Sequence, residues 1–307
     1  MQAPLSFFLF ELMTLALVGV CLIHCIRQKR LPKMSLGLEL LAFILYGLSF
    51  ESIAVGLGFY DYGPFALRVG HAPLAIGIGW GVIGFAAMGF SDSLNMPQWS
   101  KPFLDALFAL LIDLGMDAVA IRDRYPIDGE LVGMWNWPIA LNEGWFGVPY
   151  ANFMAWFLVV FIMSAALRAG RYAHNWFGNT WLVWTYPFAA FAVSLSVFLF
   201  LMLTFFDAFG LTILLPLLAL ALWVSGSSIR GRQYRLSWRK DSYVFLIPLA
   251  FHLYFLGLML LRKLYLGSSG ILWVSLIVFA LHETVLLVAA RKGAGLARKR
   301  GELELEN

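Results

Sequence analysis

The sequence predicts an all-α fold, a polytopic transmembrane helical bundle of about nine spans. Three observations carry that prediction: an apolar composition, apolar runs of spanning length, and a lopsided distribution of basic residues. Of 307 residues, 61% are hydrophobic and 13% charged, against about 45–50% and about 25% in soluble domains. A soluble fold of this length has too little interior to hide so much apolar surface, whereas a bilayer accepts it.

A span needs roughly 20 mostly apolar residues. Such runs fall at 6–26, 37–57, 71–90, 103–121, 149–167, 181–205, 209–226, 242–263 and 271–290. Only a short turn, marked by Asp207 and Gly210, parts the sixth from the seventh, so one bent element there would make the count eight. With the 27–36 loop in the cytoplasm and the loops alternating, 17 of the 22 basic residues lie inside. Outside are Arg68, Arg122, Arg124, Arg262 and Lys263. That asymmetry fits the positive-inside rule. It puts the N-terminus outside and the C-terminus in the cytoplasm, with the protein in the cell membrane. Residues 1–290 then form a single transmembrane domain, and 291–307 a charged cytoplasmic tail expected to fray. No basic n-region or cleavage site follows Met1, so the first run is expected to be a retained span.

The net charge of +4 carries no nucleic-acid footprint, because the basic residues sit in short loops between apolar runs. Cys21 and Cys25 are spaced i,i+4 within the first run and are expected to pack rather than bond. Two outside segments look like more than connectors. Residues 58–70 are rich in aromatics and glycine. Residues 122–148 form a long loop without expected regular structure, a kind that is uncommon unless functional. It places Trp135, Trp137, Trp145 and Phe146 beside Asp128, Glu130 and Glu143, so it should lie on or dip into the interface.

Carboxylates at bilayer depth cost about 2.5–3.5 kcal/mol or more and so mark function. Glu11, Glu51, Asp113 and Asp117 share the outer third of the membrane, beneath those two segments. Glu39 and Asp105 fall at the cytoplasmic mouth and read as peripheral, as does Glu283. Asp113 and Asp117 are spaced i,i+4 on one helix face. Two carboxyls this close in low dielectric cannot both ionise cheaply, and the pair is expected to share one proton. The competing reading is that these groups bond to Asn, Trp or backbone partners and hold helices together. Asn152, four residues before Trp156, is placed to join the cluster. His252 stands alone in mid-span, and His282 and Glu283 point to different sides of theirs. No HxxxH or CxxC spacing suggests a metal.

The stretch Asp113-x-x-x-Asp117, then Gly133-Met134-Trp135-Asn136-Trp137, then Trp145-Phe146-Gly147-Val148-Pro149-x-x-Asn152-Phe153-x-x-Trp156 resembles the integral-membrane carotenoid biosynthesis proteins, of the bisanhydrobacterioruberin hydratase type. Glu51-x-x-Ala54-Val55 leading into Gly58-Phe59-Tyr60-Asp61-Tyr62 is similar to the second-span motif of that family, and Gly70-x-x-Pro73-Leu74 with Trp80 to its third-span beginning. The resemblance covers about 45–165. It departs at Ala118, where the family has proline, and in a compressed stretch from Val55 to Phe59.

The resemblance implies acid-catalysed addition of water to the terminal C=C of an acyclic carotenoid end group, without metal or other cofactor. Asp113 or Asp117 would donate the proton and Glu51 would orient water. Trp135, Trp137 and Trp156, with Asn152, Tyr60, Tyr62 and Phe146, would bind the polyene end, the π-faces favouring a passing cation. The implied partners are a lipophilic polyene reaching the site from the bilayer, membrane lipids and other carotenoid biosynthesis enzymes. A proton-coupled transporter of a small or lipophilic solute is the alternative. Carriers often have repeated halves, whereas 12 of the 18 acidic residues here precede residue 151. A prenyltransferase would need two Asp-rich motifs for magnesium pyrophosphate, and before the charged tail the second half offers only Asp207, Asp241 and Glu283. An intramembrane aspartyl protease would need its two Asp on separate spans.

Overall fold

In hydrocarbon a chain must satisfy its backbone N–H and C=O groups within each segment, so the apolar runs become helices. The computed structural model describes residues 3–28, 33–205, 208–229 and 234–305, with side chains described for all but 33–34 and 294–305. Asp207 and the basic residues Lys29, Arg30, Arg230 and Arg232 lie outside the described residues, as do the side chains of Lys33, Arg298, Lys299 and Arg300.

Among the described residues there are nine α-helices: α1 (Leu5–Arg27), α2 (Lys33–Gly56), α3 (Leu74–Ser93), α4 (Lys101–Ala120), α5 (Tyr150–Phe177), α6 (Leu182–Phe205), α7 (Leu211–Ile229), α8 (Ser242–Leu261) and α9 (Ser269–Leu305). All but α4 are long and apolar enough to cross a membrane, which makes this a multi-pass membrane protein. The sixth and seventh runs are two separate helices. Although α4 is too charged to qualify by composition, it is of spanning length, and 15 of its 20 residues are buried. It packs against α3, α5, α7, α8 and α9. With α3 it forms the inside of the bundle: 83% of the apolar window of α3 is buried, against 22% for α6. Polar side chains on an inner helix face protein rather than lipid, which is how α4 carries three aspartates.

Glycines set the close approach of α2 and α3. A Cβ on Gly47 would lie 2.7 Å from Cβ of Trp80, and one on Gly81 would lie 2.3 Å from Ile44. Small residues let membrane helices meet backbone to backbone, and this contact fixes where Trp80 points.

Two expected boundaries move. The fifth run continues ten residues beyond the expected end at 167, to Phe177. Arg168 and Arg171 therefore sit on α5 instead of in a loop, because acidic partners neutralise them. Arg168 bonds Asp92 (2.5 Å) and Asp105 (2.8 Å), and Arg171 bonds Asp92 (2.6 Å) and Glu39. Lys101 also reaches Asp92, at 2.9 Å. Three cations and three anions thus form one network at the end of the bundle away from Asp117. Glu39 and Asp105, expected to be peripheral, are buried within it. The other shift is in α9, which stays helical to Leu305 where a frayed tail was expected from Arg291. That stretch is rich in Ala, Leu, Arg, Lys and Glu, all good helix formers.

The opposite end is covered by the two unusual segments, which pair with each other. Strand β1 (Asp61–Tyr62) lies antiparallel to β6 (Trp135–Asn136), with Asp61 opposite Asn136 and Tyr62 opposite Trp135. A short ladder, β2 (Arg68–Val69) with β3 (Ala72–Pro73), leads into α3. The 122–148 segment, expected to lack regular structure, contains a hairpin of β4 (Tyr125–Ile127) and β5 (Glu130–Val132). Its turn, Asp128-Gly129, has positive φ at both residues (50° and 88°), the backbone that Asp-Gly favours in a tight hairpin. Arg122 clamps the rest of the segment by donating to the carbonyls of Leu141 (2.6 Å) and Phe146.

Candidate functional site

Four helices and the covering segments converge near the covered end. Helix α2 brings Glu51, five residues before its last residue, Gly56. Oε1 of Glu51 accepts the indole N–H of Trp80 at 2.7 Å. Oε2 accepts the hydroxyl of Tyr62 at 2.5 Å and that of Tyr60. Three donors aimed at one buried carboxyl suit an ionised carboxylate, which only accepts. Helix α4 brings Asp113 and Asp117, and α5 brings Asn152. The Asn152 amide donates to Oδ2 of both aspartates, at 3.1 Å and 2.6 Å. One amide thus gathers the two carboxyls, and all three residues are buried.

Aromatic rings enclose these groups. Trp80 stacks on Trp156 with ring centroids 3.8 Å apart, and Tyr60 lies 4.4 Å from Trp137. The indole N–H of Trp137 is buried and has no hydrogen-bond partner among the described residues, while that of Trp135 is turned toward Asp117. A buried donor such as that of Trp137 calls for a polar guest.

Two chambers share this wall. The smaller, about 40 Å³, is lined by Glu51, Asp117, Asn152, Tyr60, Tyr62 and Trp135, with Phe10, Met116 and Phe251 among the rest. Its wall is mostly apolar but carries the polar groups of Glu51, Asp117, Asn152, Tyr60 and Tyr62, and it is large enough for one to a few waters. The larger, about 440 Å³, runs between α2, α5 and α6 to Phe209 beyond the end of α6. Glu51, Tyr60, Trp80, Trp137, Asn152 and Trp156 line both.

Most expected site residues therefore meet: Glu51, Asp117, Asn152, Tyr60, Tyr62, Trp135, Trp137 and Trp156. Asp113 touches neither chamber and stands behind Asp117. Phe146 is not in the site; its ring packs where a Cβ on Gly270 would lie, 2.9 Å away. Glu11 accepts the backbone N–H of Leu67 at 3.0 Å and so holds the 58–70 segment to α1. His252 is not alone, since its Nε2 lies 3.1 Å from Nδ1 of His282.

Trp80, which enters the sequence argument only through the resemblance, lines both chambers. A signal was available, because a tryptophan within an apolar span needs a partner for its N–H. Phe198, Met202, Phe209 and Phe251 had no such signal, for they look like ordinary apolar residues of the second half.

A family model described as carotenoid biosynthesis protein matches residues 4–224. No curated protein and no solved structure matches the chain. The matched stretch runs from α1 into α7 and contains every chamber-lining residue except Phe251. With most of its length matched, and the whole shared wall inside the match, the chain belongs to the carotenoid biosynthesis protein family.

Proposed function

We propose that the protein adds water across the terminal double bond of an acyclic carotenoid end group, with the extended substrate reaching the site from the bilayer. The observation that carries this reading is the wall common to the two chambers. It sets a water-sized space that holds the carboxyls of Glu51 and Asp117 directly against a larger space long enough for a hydrocarbon chain, which is the juxtaposition that hydration of a hydrocarbon needs.

The chemistry balances without a redox partner. Asp117, which faces the small chamber, gives its proton to the less substituted alkene carbon. The π bond supplies the electron pair for the new C–H bond and leaves a tertiary cation. Water adds to the cation, and its surplus proton passes to Glu51 and then back to the aspartate pair. Trp80, Trp135, Trp137 and Trp156 offer π-faces to the cation, and the Glu51 carboxylate stabilises it through space. Asp113 shares a proton with Asp117 and so supports the acid from behind. In the orientation favoured by the basic residues, this site lies near the outer face of the membrane.

The alternative, a proton-coupled carrier, fits less well. Glu51, Asp113, Asp117 and the chambers lie at one end, while Glu39, Asp92 and Asp105 at the other end are held by Lys101, Arg168 and Arg171. The test is expression in a bacterium that makes acyclic carotenoids. A pigment heavier by one water is the expected product, and an unchanged pigment profile with the protein present in the membrane would sink the hydratase reading.

A further inference from the structure

The larger chamber has a chemical asymmetry that goes beyond the placement of the acids. Its polar side chains are confined to the wall shared with the small chamber. Its other thirteen lining residues, among them Ala54, Ala155, Val159, Phe198 and Met202, bring no polar side-chain atom. A ligand that fills it must be hydrocarbon along its body and reactive or polar only at the tip. The volume, about 440 Å³, is in the range of about 300–1,000 Å³ that takes a drug-sized molecule. It therefore holds one end of a long chain and not its whole length.

The outer wall belongs to the second half of the protein. Phe198 and Met202 are one helical turn apart on α6, and both are buried while their neighbours Phe200 and Leu203 face outward. The ring of Phe198 lies 5.3 Å from that of Phe50, which lies 5.0 Å from Trp80. A row of flat rings thus runs from the Glu51 partner to α6. Such rings suit a flat conjugated chain better than a kinked saturated one, and Met202 adapts to what lies against it.

We infer that the larger chamber is the binding site for the first stretch of a linear polyene, and that Phe198 and Met202 on α6 determine whether a flat conjugated chain fits behind the end group. This rests on the reading of the site as carotenoid-modifying, and binding can be measured apart from turnover.

The experiment uses the full chain in lipid nanodiscs with lycopene as the acyclic polyene. Quenching of tryptophan fluorescence reports binding, and product mass reports reaction. Met202→Trp, and from the facing helix Ala155→Phe, fill the chamber and are expected to weaken binding about tenfold or more. Leu203→Trp places the same ring on the outward face and is expected to bind as the parent does. Thermal unfolding identifies any variant that fails to fold, and the other filling variant then decides. The inference is overturned if a folded filling variant binds as the parent does, if Leu203→Trp loses binding equally, or if the parent shows no lycopene binding. Displacement of lycopene by hexadecane at equal concentration would also overturn it, by making the chamber a general acyl-chain site. Binding that follows this pattern without a hydrated product would leave the inference standing and remove the hydratase reading.

Discussion

The indole N–H of Trp80 points at Oε1 of Glu51 from 2.7 Å, while the same ring lies stacked on Trp156. One side chain therefore orients the carboxylate and forms part of the wall between the two chambers. The two roles separate in Trp80→Phe, which keeps an aromatic ring but removes the donor. A hydrogen bond to a charged group contributes about 1.5–3 kcal/mol to stability, so the variant is expected to melt lower, and hydration per folded molecule to slow by about tenfold or more as the carboxylate loses its orientation. Turnover of lycopene to the hydrated product, set beside a melting curve, checks this. Equal activity in Trp80→Phe would show that Glu51 needs no orientation from α3.

The two aspartates are not equivalent. Asp117 lines the small chamber, whereas Asp113 reaches it only through Asn152 and Asp117. If Asp117 is the acid, as proposed, Asp117→Asn is expected to cost about 10²–10⁴ in rate, the usual worth of a general acid. Asp113→Asn should cost less, about tenfold, and leave clear product. The reverse order of the two effects would assign the acid to Asp113.

Tyr60 and Tyr62 both donate to the same oxygen of Glu51, so each partly covers for the other. Tyr60→Phe and Tyr62→Phe are expected to slow hydration by only a few fold singly. The double variant should lose more than the product of the two single effects, because groups in one hydrogen-bond network are non-additive. A double-mutant cycle on turnover reads the coupling directly. Simple additivity would mean that the hydroxyls do not act through Glu51.

Much of this arrangement was legible in the sequence, and the reasons differ from part to part. The spans could be read because bilayer thickness sets a length, and Glu51, Asp113 and Asp117 because acids there are costly. The covering strands of two or three residues left little periodicity to detect, although Asp128-Gly129 between Tyr125–Ile127 and Glu130–Val132 is a hairpin signal in its own right. The apolar chamber wall could not be seen. Phe198 and Phe200 are the same residue type on the same helix, and only tertiary packing turns one toward the cavity and the other outward. The length of α5 is hidden for a related reason: Arg168 and Arg171 signal a loop until their partners on α2, α3 and α4 are known.

Those partners make a last prediction. Asp105 Oδ2 accepts Arg168 at 2.8 Å and Ser164 at 2.5 Å, and Asp105 has no other ion-pair partner among the described residues. Asp92, by contrast, keeps Lys101 and Arg171 if Arg168 is lost. Arg168→Met therefore strands one buried carboxylate, Asp105, and is expected to destabilise the fold by about 3–5 kcal/mol. Arg168→Met with Asp105→Leu removes the stranded charge as well, and should recover much of that loss because an apolar pair can replace a buried ionic one. Asp105 is twelve residues from Asp117 on α4, or about 18 Å along the helix, so turnover per folded molecule should stay near the parent value in both variants. Thermal unfolding in detergent with activity normalised to folded protein tests both points. A double variant no more stable than Arg168→Met would show that Arg168 stabilises the bundle through Asp92 and Ser91 rather than through Asp105.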